Sequence, residues 1–386
     1  MPVRATTRGA ARTRLERDCD VLVCGASFAG LAIARELAGA GARVLMIDRY
    51  EIGERQTSAC AMPTRWLSAM DLQASHRQTF DELVVHTPFH TSRWSLPWSF
   101  STFDYRELCA LMWEQADDGE LEFETATVTG REGSVVHTDR GPLTAPLIVD
   151  GLGWRRVLSN RTAIQPPNAR LSRGLEVHPA GAGEEMELWV DPRYIRSGYS
   201  WSFPAHDEMR VGVGSFRPAD HVKQPTVRLA GDLGLAPDGY QGNWIPHQLR
   251  AAVEEGVFFV GDSAGHCLPL TAEGIRTALY FGLACGRELR AVVEGTRSRA
   301  EALRRYGAFS AAHKKKFAWM LRAQQAAGFT TPSRSLAAVV RMFENKRLCG
   351  WVFDQYLAIA PPAFVAEGTR ALTRSRLAAV SAGAPA

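Results

Sequence analysis

The chain has 386 residues, 46% of them hydrophobic and 22% charged, with a formal net charge of +4 at pH 7. That length holds two or three domains and a substantial core, while arginines scattered singly and the absence of zinc-finger, RNA-recognition or basic-zipper patterns exclude a dedicated nucleic-acid binder. The apolar runs fall short of the roughly 18 residues of a membrane-spanning helix, and seven widely spaced cysteines without a C-x-x-C pair exclude a disulfide framework or a thiolate metal centre.

Those cysteines fit reduced thiols in the cytoplasm. Residues 1–17 are Arg-rich with no apolar run behind them, so a disordered tail is expected rather than a secretory leader. From residue 19 the pattern sharpens. CDVLVCG (19–25) reads as a buried parallel strand. SFAGLAIARELAGAGA (27–42) has helical apolar spacing with Gly41 near its end, and RVLMIDR (43–49) is a second strand closing on Asp48. Strand, turn, helix and strand within about thirty residues make a βαβ unit.

Residues 51–100, with Pro63, Pro88 and Pro97, are less regular. TFDYRELCALMWEQA (102–116) is an amphipathic helix capped by Thr102 or Asp104. ELEFETATVTG (120–130), SVVHT (134–138) and APLIVDG (145–151) are strand-like, as are ELWV (187–190), GYSWSF (198–203) and MRVGVGSF (209–216). GVFFVGDSAG (256–265) is an apolar strand running into a Gly/Asp turn, followed by a helix over 273–294. Beyond Thr296 the chain is helical to about Ala360.

The first βαβ unit and the FFVGDSAG strand belong to one parallel sheet, so the strand-rich middle is an insertion. The expected fold class is α/β: a discontinuous Rossmann-like nucleotide-binding domain, an inserted mixed or antiparallel β domain, and a helical C-terminal region. Expected boundaries are 18–70, 101–165 and 251–295 for the first, 71–100 and 166–250 for the second, 296–365 for the helices, and a flexible tail over 366–386.

CGASFAG matches G-x-G-x-x-G with Ser27 at the second glycine. Gly25 permits the tight turn and Gly30 lets helix and strand pack closely, while the helix N-terminus offers unpaired N–H groups to a pyrophosphate. Asp48, at the end of the second strand, suits a ribose hydroxyl. Ala29 and Arg49 adjoin these positions, and Val128 is a further candidate for the cofactor. In the later segment Gly261 and Asp262 end a strand, and Ala272, Gly274 and Ile275 open a helix. Two dipole-bearing sites imply an extended dinucleotide.

Four stretches resemble the FAD-dependent geranylgeranyl reductase family, within the flavoprotein superfamily that also holds aromatic hydroxylases and halogenases. VLVCGASFAGLAIARELAGAGARVLMIDR is similar to its FAD fingerprint, LIVDGLGWRRVL (147–158) to the second motif, GDSAGHCLPLTAEGI (261–275) to the third, and YSWSFPAHDEMRVGVG (199–214) to the reductases' YxWxFP-then-GxG pattern. Ser27 and Ala272 replace glycines usual in the family. The resemblance implies FAD held by the residues above, with Asp150 and Arg106 added. It implies reduction of a carbon–carbon double bond in a hydrophobic, isoprenoid-like substrate, with electrons from NAD(P)H or a reduced carrier protein. The alkene also needs a proton, for which Cys60, Tyr199, His266 and a bound water are candidates. Tyr199, Trp201, Phe203, Gly212 and Gly214 would line the substrate slot.

Two competing functions share these motifs. A flavin monooxygenase or epoxidase would use the same scaffold with oxygen. A non-catalytic flavoprotein would use the apolar stretch 338–365, with its interspersed Arg and Lys, against a membrane surface or partner. A halogenase fits poorly: no lysine precedes Lys223, and Phe203 stands where that pattern has isoleucine.

Overall fold

The computed structural model describes residues 13–56, 58–160, 171–329 and 334–366. β1 (Val21–Cys24), α1 (Phe28–Leu37) and β2 (Val44–Asp48) form the opening βαβ unit. β3 (Ala61–Pro63) and α2 (Thr64–Ala69) precede the long hairpin β4 (His76–His86) and β5 (Thr91–Phe103), then α3 (Tyr105–Ala116) and β6 (Leu121–Thr125). A meander, β7 (Val128–Glu132), β8 (Val135–Thr138) and β9 (Gly141–Thr144), leads to β10 (Leu147–Asp150). β11 (Leu171–Val177), β12 (Glu187–Trp189), β13 (Gly198–Ala205), β14 (Glu208–Ser215), α4 (Lys223–Asp232) and β15 (Gln241–Pro246) fill the middle. The chain then forms β16 (Val253–Glu254), β17 (Val257–Phe259), α5 (Ile275–Val293), α6 (Arg299–Ala312), α7 (Lys314–Phe329), α8 (Arg334–Met342) and α9 (Lys346–Leu357).

The first sheet has the order β16-β17-β10-β1-β2-β6, parallel except for the β16–β17 pair. Its central strand is completely buried, which is why VLVC carries no polar alternation. Strands from both ends of the sequence meet in it, as the discontinuous α/β layout requires. The second sheet has eight strands in the order β15-β11-β14-β13-β12-β4-β5-β3 and carries mostly antiparallel pairings. This is the α/β architecture read from sequence: a Rossmann-like layer, a mixed sheet and C-terminal helices.

Two boundaries differ from expectation. Part of the anticipated 1–17 tail is packed on the fold: Leu15 is buried and its N–H donates to the Arg140 carbonyl at 2.9 Å. Residues 1–12, and 367–386 of the second tail, lie outside the described residues. The border drawn at residue 100 cuts through β5, which runs on to Phe103 and pairs there with β3. Of the two capping candidates it is Asp104 that caps α3, accepting the Glu107 N–H at 2.9 Å, while the Thr102 hydroxyl donates to the Pro204 carbonyl.

The turn after β1 brings backbone against backbone. Gly25 has φ +113°, and a Cβ there would lie 2.3 Å from the Gly151 carbonyl oxygen at the end of β10. A Cβ on Gly30 would lie 2.0 Å from the Gly25 carbonyl oxygen. One turn of α1 therefore rests directly on the loop that feeds it. α5 crosses the same helix at Gly282, whose Cβ would come within 2.7 Å of the Ala29 carbonyl oxygen. Gly30→Ala must push backbone against backbone. It is expected to lower stability by about 3 kcal/mol and to abolish flavin retention, read from the urea midpoint and the visible spectrum of the purified protein.

Candidate cofactor and substrate site

α1 begins at Phe28 with Ser27 as its N-cap, yet the Ser27 side chain does not cap it. The first-turn N–H groups are thus left to an outside acceptor. Ser27, Phe28 and Ala29 line a cavity of about 1520 Å³ that continues past Asp48, Arg49 and Val128. Asp48 is fixed in place: its carboxylate accepts the Ala26 N–H at 2.9 Å and the Tyr50 N–H at 3.1 Å. Burial pushes its carboxyl above the ordinary value against those hydrogen bonds. Gly25 and Gly30 shape this end of the cavity by close packing rather than by facing it.

Two residues expected at the cofactor do something else. Arg106 is exposed on α3 and does not line the cavity; Gly53 packs against its backbone. Asp150 is fully buried, accepting the Leu152 N–H at 2.9 Å, the Leu158 N–H at 2.8 Å and the Ser263 hydroxyl at 2.6 Å. It ties the loop after β10 to the turn after β17. It does not line the cavity, so its carboxylate braces these two loops and is not placed to reach a ligand.

The other end of the cofactor region is built after β17. Gly261, Asp262, Ala272, Gly274 and Ile275 all line the cavity. No hydrogen bond from the described residues reaches the Asp262 carboxyl, and burial, opposed by Arg250, pushes it up to about 6. Leu270 (φ +69°) and Ala272 (φ +52°) hold left-handed backbone without being glycine, a cost of about 1–2 kcal/mol each. Their loop is held from three sides: Leu268 N–H to the Glu273 carbonyl at 3.0 Å, Leu270 N–H to Gln324 Oε1 at 2.8 Å, and the Tyr199 hydroxyl to the Thr271 carbonyl at 2.6 Å.

The hairpin β13–β14 supplies the next wall. Tyr199, Trp201, Phe203 and Gly214 line the cavity. Gly212 does not, because the Trp201 ring covers it; a Cβ there would lie 2.2 Å from that ring. The cavity then becomes an apolar slot between the second sheet and the C-terminal helices, with Leu83, Trp94 and Phe100 on one side and Val340, Phe343 and Phe353 on the other. Trp94 locks the two sides together, stacking on Phe343 at 4.7 Å and donating its indole N–H to the Val340 carbonyl at 3.0 Å.

Of the three side chains proposed as proton donors, the structure brings only Tyr199 to the cavity. Cys60 is completely buried between cavity-lining neighbours and does not open on it, and burial raises its thiol well above the ordinary value. His266 is a core residue, stacked on Phe281 at 3.7 Å with Nε2 3.0 Å from the Ser310 hydroxyl; burial pulls it well below its ordinary value. Sequence reasoning missed the slot contribution of α7 to α9 and of Glu176. The first has only an amphipathic pattern to reveal it, and the second a single acid in a strand.

A dinucleotide with a pyrophosphate and a polyhydroxyl chain matches these features: open helix N–H groups at Ser27–Ala29, a fixed acid at Asp48 and an unpartnered acid at Asp262. Because the folded Asp262 carboxyl is raised, its contribution to stability is present below about pH 4 and is lost as the pH rises through about 6. Asp262→Asn should therefore stabilise the cofactor-free protein at pH 7.5 by about 1–2 kcal/mol, while weakening FAD binding about tenfold. Urea melts across pH 4–8 and flavin fluorescence titrations check both.

Comparison with known proteins agrees with this geometry. A family model described as an FAD binding domain matches residues 18–94. Digeranylgeranylglycerophospholipid reductase 3 of Methanosphaera stadtmanae is 24% identical over 343 residues, covering 78% of this chain and 85% of the relative. Aklavinone 12-hydroxylase DnrF of Streptomyces peucetius is also 24% identical, covering 72% of this chain and 68% of the relative. The crystal structure of a geranylgeranyl bacteriochlorophyll reductase-like protein from Thermoplasma acidophilum superposes with a TM-score of 0.77 at 15% identity, covering 91% of this chain and 98% of that one. The chain is an FAD-dependent oxidoreductase, similar in sequence to digeranylgeranylglycerophospholipid reductases and in fold to a geranylgeranyl reductase-like structure.

Proposed function

We propose that the protein reduces carbon–carbon double bonds of a hydrophobic, isoprenoid-like substrate. The observation that carries this reading is the continuity of the cavity: one space of about 1520 Å³ runs from the α1 N-terminus to the apolar slot under Trp94, Phe343 and Phe353. Bound along Ser27–Ala29, Asp48, Asp262 and Gly274–Ile275, FAD would supply two-electron hydride chemistry to an alkene. The chain's own part is to hold the ligand, exclude water and deliver a proton. Apolar walls from β4, β5, α8 and α9 would orient a flexible chain by shape rather than by hydrogen bonds.

Tyr199 is the proposed proton donor. Tyr199 lines the cavity, and its hydroxyl, which donates to the Thr271 carbonyl at 2.6 Å, would turn from that carbonyl to the alkene to give up its proton. Burial raises its pKa, which keeps it protonated at neutral pH. The electron donor is proposed to be NAD(P)H or a reduced carrier protein that binds transiently, because the sequence carries one dinucleotide fingerprint. The seven free, buried thiols support a reducing, cytoplasmic compartment.

Among the described residues no helix is long and apolar enough to cross a membrane. Peripheral contact with an anionic membrane is part of the proposal. Trp319, Met342 and Trp351 are exposed on α7 to α9, on helices that also expose Lys315, Arg322, Lys346 and Arg347, and Trp319 lines the cavity as well.

The second reading, oxygenation on the same scaffold, is favoured by the 24% likeness to the relative named as a hydroxylase. Product mass separates the two. Reduction of the FAD-loaded protein without oxygen, followed by addition of a polyprenyl lipid, should reoxidise the flavin and give a product heavier by two hydrogens. A product heavier by one oxygen, formed only in air, would establish the second reading. Tyr199→Phe, which also removes the loop's bond at the Thr271 carbonyl, should lower the turnover number about a hundredfold, measured by stopped-flow reoxidation.

A further inference from the structure

Four titratable groups that the proposed reaction does not use form an unbroken chain beside the slot. His178 Nε2 donates to Glu176 Oε1 at 2.9 Å, His178 Nδ1 lies 3.3 Å from Glu208 Oε1, and Arg210 Nε donates to Glu208 Oε1 at 2.9 Å. Glu176 and Arg210 are 2% and 3% exposed. Burial alone would pull His178 down, but hydrogen bonds to Glu176 and Glu208 overcome it and push the imidazole up to about 9. Burial works against Glu208 as well, and the bonds from His178 and Arg210 hold it down to about 2. Glu176 and Glu208 thus alternate with His178 and Arg210 along the chain.

One acceptor is left over on the slot side. Glu176 Oε2 takes the indole N–H of Trp201 at 3.2 Å. Trp201, Gly212 and Glu176 lie in one row across β13, β14 and β11, so the indole must pass over Gly212 to reach its acceptor. A Cβ on Gly212 would lie 2.2 Å from the ring, one on Gly214 3.4 Å and one on Gly174 3.9 Å. The ring is laid over Gly212, and Gly214 and Gly174, which still open on the cavity, border it. Trp201 and Glu176 line the cavity and Gly212 does not, so the ring is the floor of the slot.

We propose that Glu176 is a positioning residue that latches the Trp201 indole across Gly212, so that the slot admits a linear apolar chain and refuses a fused-ring skeleton. The proposal rests on the reading of this cavity as a slot for a linear apolar substrate. The chain from His178 to Arg210 holds the Glu176 carboxylate in one place, which a lone carboxylate at an apolar wall would not be. A released ring would leave Gly212, and the floor would drop by about the 3.5 Å of a carbon–carbon contact. That extra depth is what a fused-ring ligand needs and a single chain does not.

The test uses the full FAD-loaded chain and two readouts. In proton–nitrogen spectra the indole resonance missing from Trp201→Phe identifies Trp201. It should move upfield in Glu176→Met, which removes the acceptor, and stay near its original position in Glu176→Gln, whose amide oxygen still accepts. The second readout is the ratio of affinities for cis-parinaric acid, a linear polyene, and dehydroergosterol, a fused-ring sterol. That ratio should shift about tenfold toward the sterol in Glu176→Met and in Trp201→Phe, and no further in the double variant. If Glu176→Met does not fold, Trp201→Phe and Glu176→Gln still decide the ratio. An unmoved resonance in Glu176→Met, or an unchanged ratio in Trp201→Phe, overturns the latch. Failure of both probes to bind the unaltered protein overturns the slot reading instead, and the spectra still judge the latch.

Discussion

The contact on which the rest of the structure depends is the approach of backbone to backbone at the end of β1. Gly25 meets the Gly151 carbonyl, Gly30 meets the Gly25 carbonyl, and α5 closes from behind through Gly282. No side chain fits between any of these pairs. Because the turn is this tight, the first N–H groups of α1 face the cavity instead of being capped by Ser27. A polar end is thereby set at a fixed distance from the apolar sheet beyond it. Everything downstream, from the fixed Asp48 to the slot under Trp94, is measured from that origin.

Three acids near strand ends in the first sheet show how partners, not position, divide the labour. Asp150 spends its oxygens on Leu152, Leu158 and Ser263 and holds two loops together. Asp48 is steadied by two backbone N–H groups and still faces the cavity. Asp262 receives no hydrogen bond from the described residues and has its carboxyl pushed up by burial. The same residue type is a brace, a guided contact and an unsatisfied one. Unpaired polar groups of the last kind are costly in isolation, so their retention points to a ligand.

The first sheet and its fingerprint were readable because their information is local. A strand, a glycine turn, a helix and an acid follow one another within thirty residues, and each has its own physical signal. The hairpin at 198–215 was readable too, since alternation alone puts Tyr199, Trp201 and Phe203 on one face. What alternation could not reveal is that Gly212 serves Trp201 instead of a ligand; that requires knowing that Glu176 lies one strand further on. Cys60 and His266 were misplaced for a related reason. A residue near a motif in sequence can point into the core, and nothing local records which way it faces. The walls given by α8 and α9 pair with β5 across more than two hundred residues, and no short-range pattern encodes that pairing.

The loop from Leu268 to Gly274 carries a consequence for how the molecule comes apart. It takes its conformation from Gln324 on α7, from Tyr199 in the second sheet and from its own bond to Glu273, while two non-glycine residues in it hold left-handed backbone. Such a loop keeps its shape only while every neighbour is in place. The Rossmann-like layer, the mixed sheet and the terminal helices therefore cannot melt one at a time without releasing it. Local openings that would normally begin in the outer helices are tied to the cofactor region, and the three layers are joined into one cooperative unit.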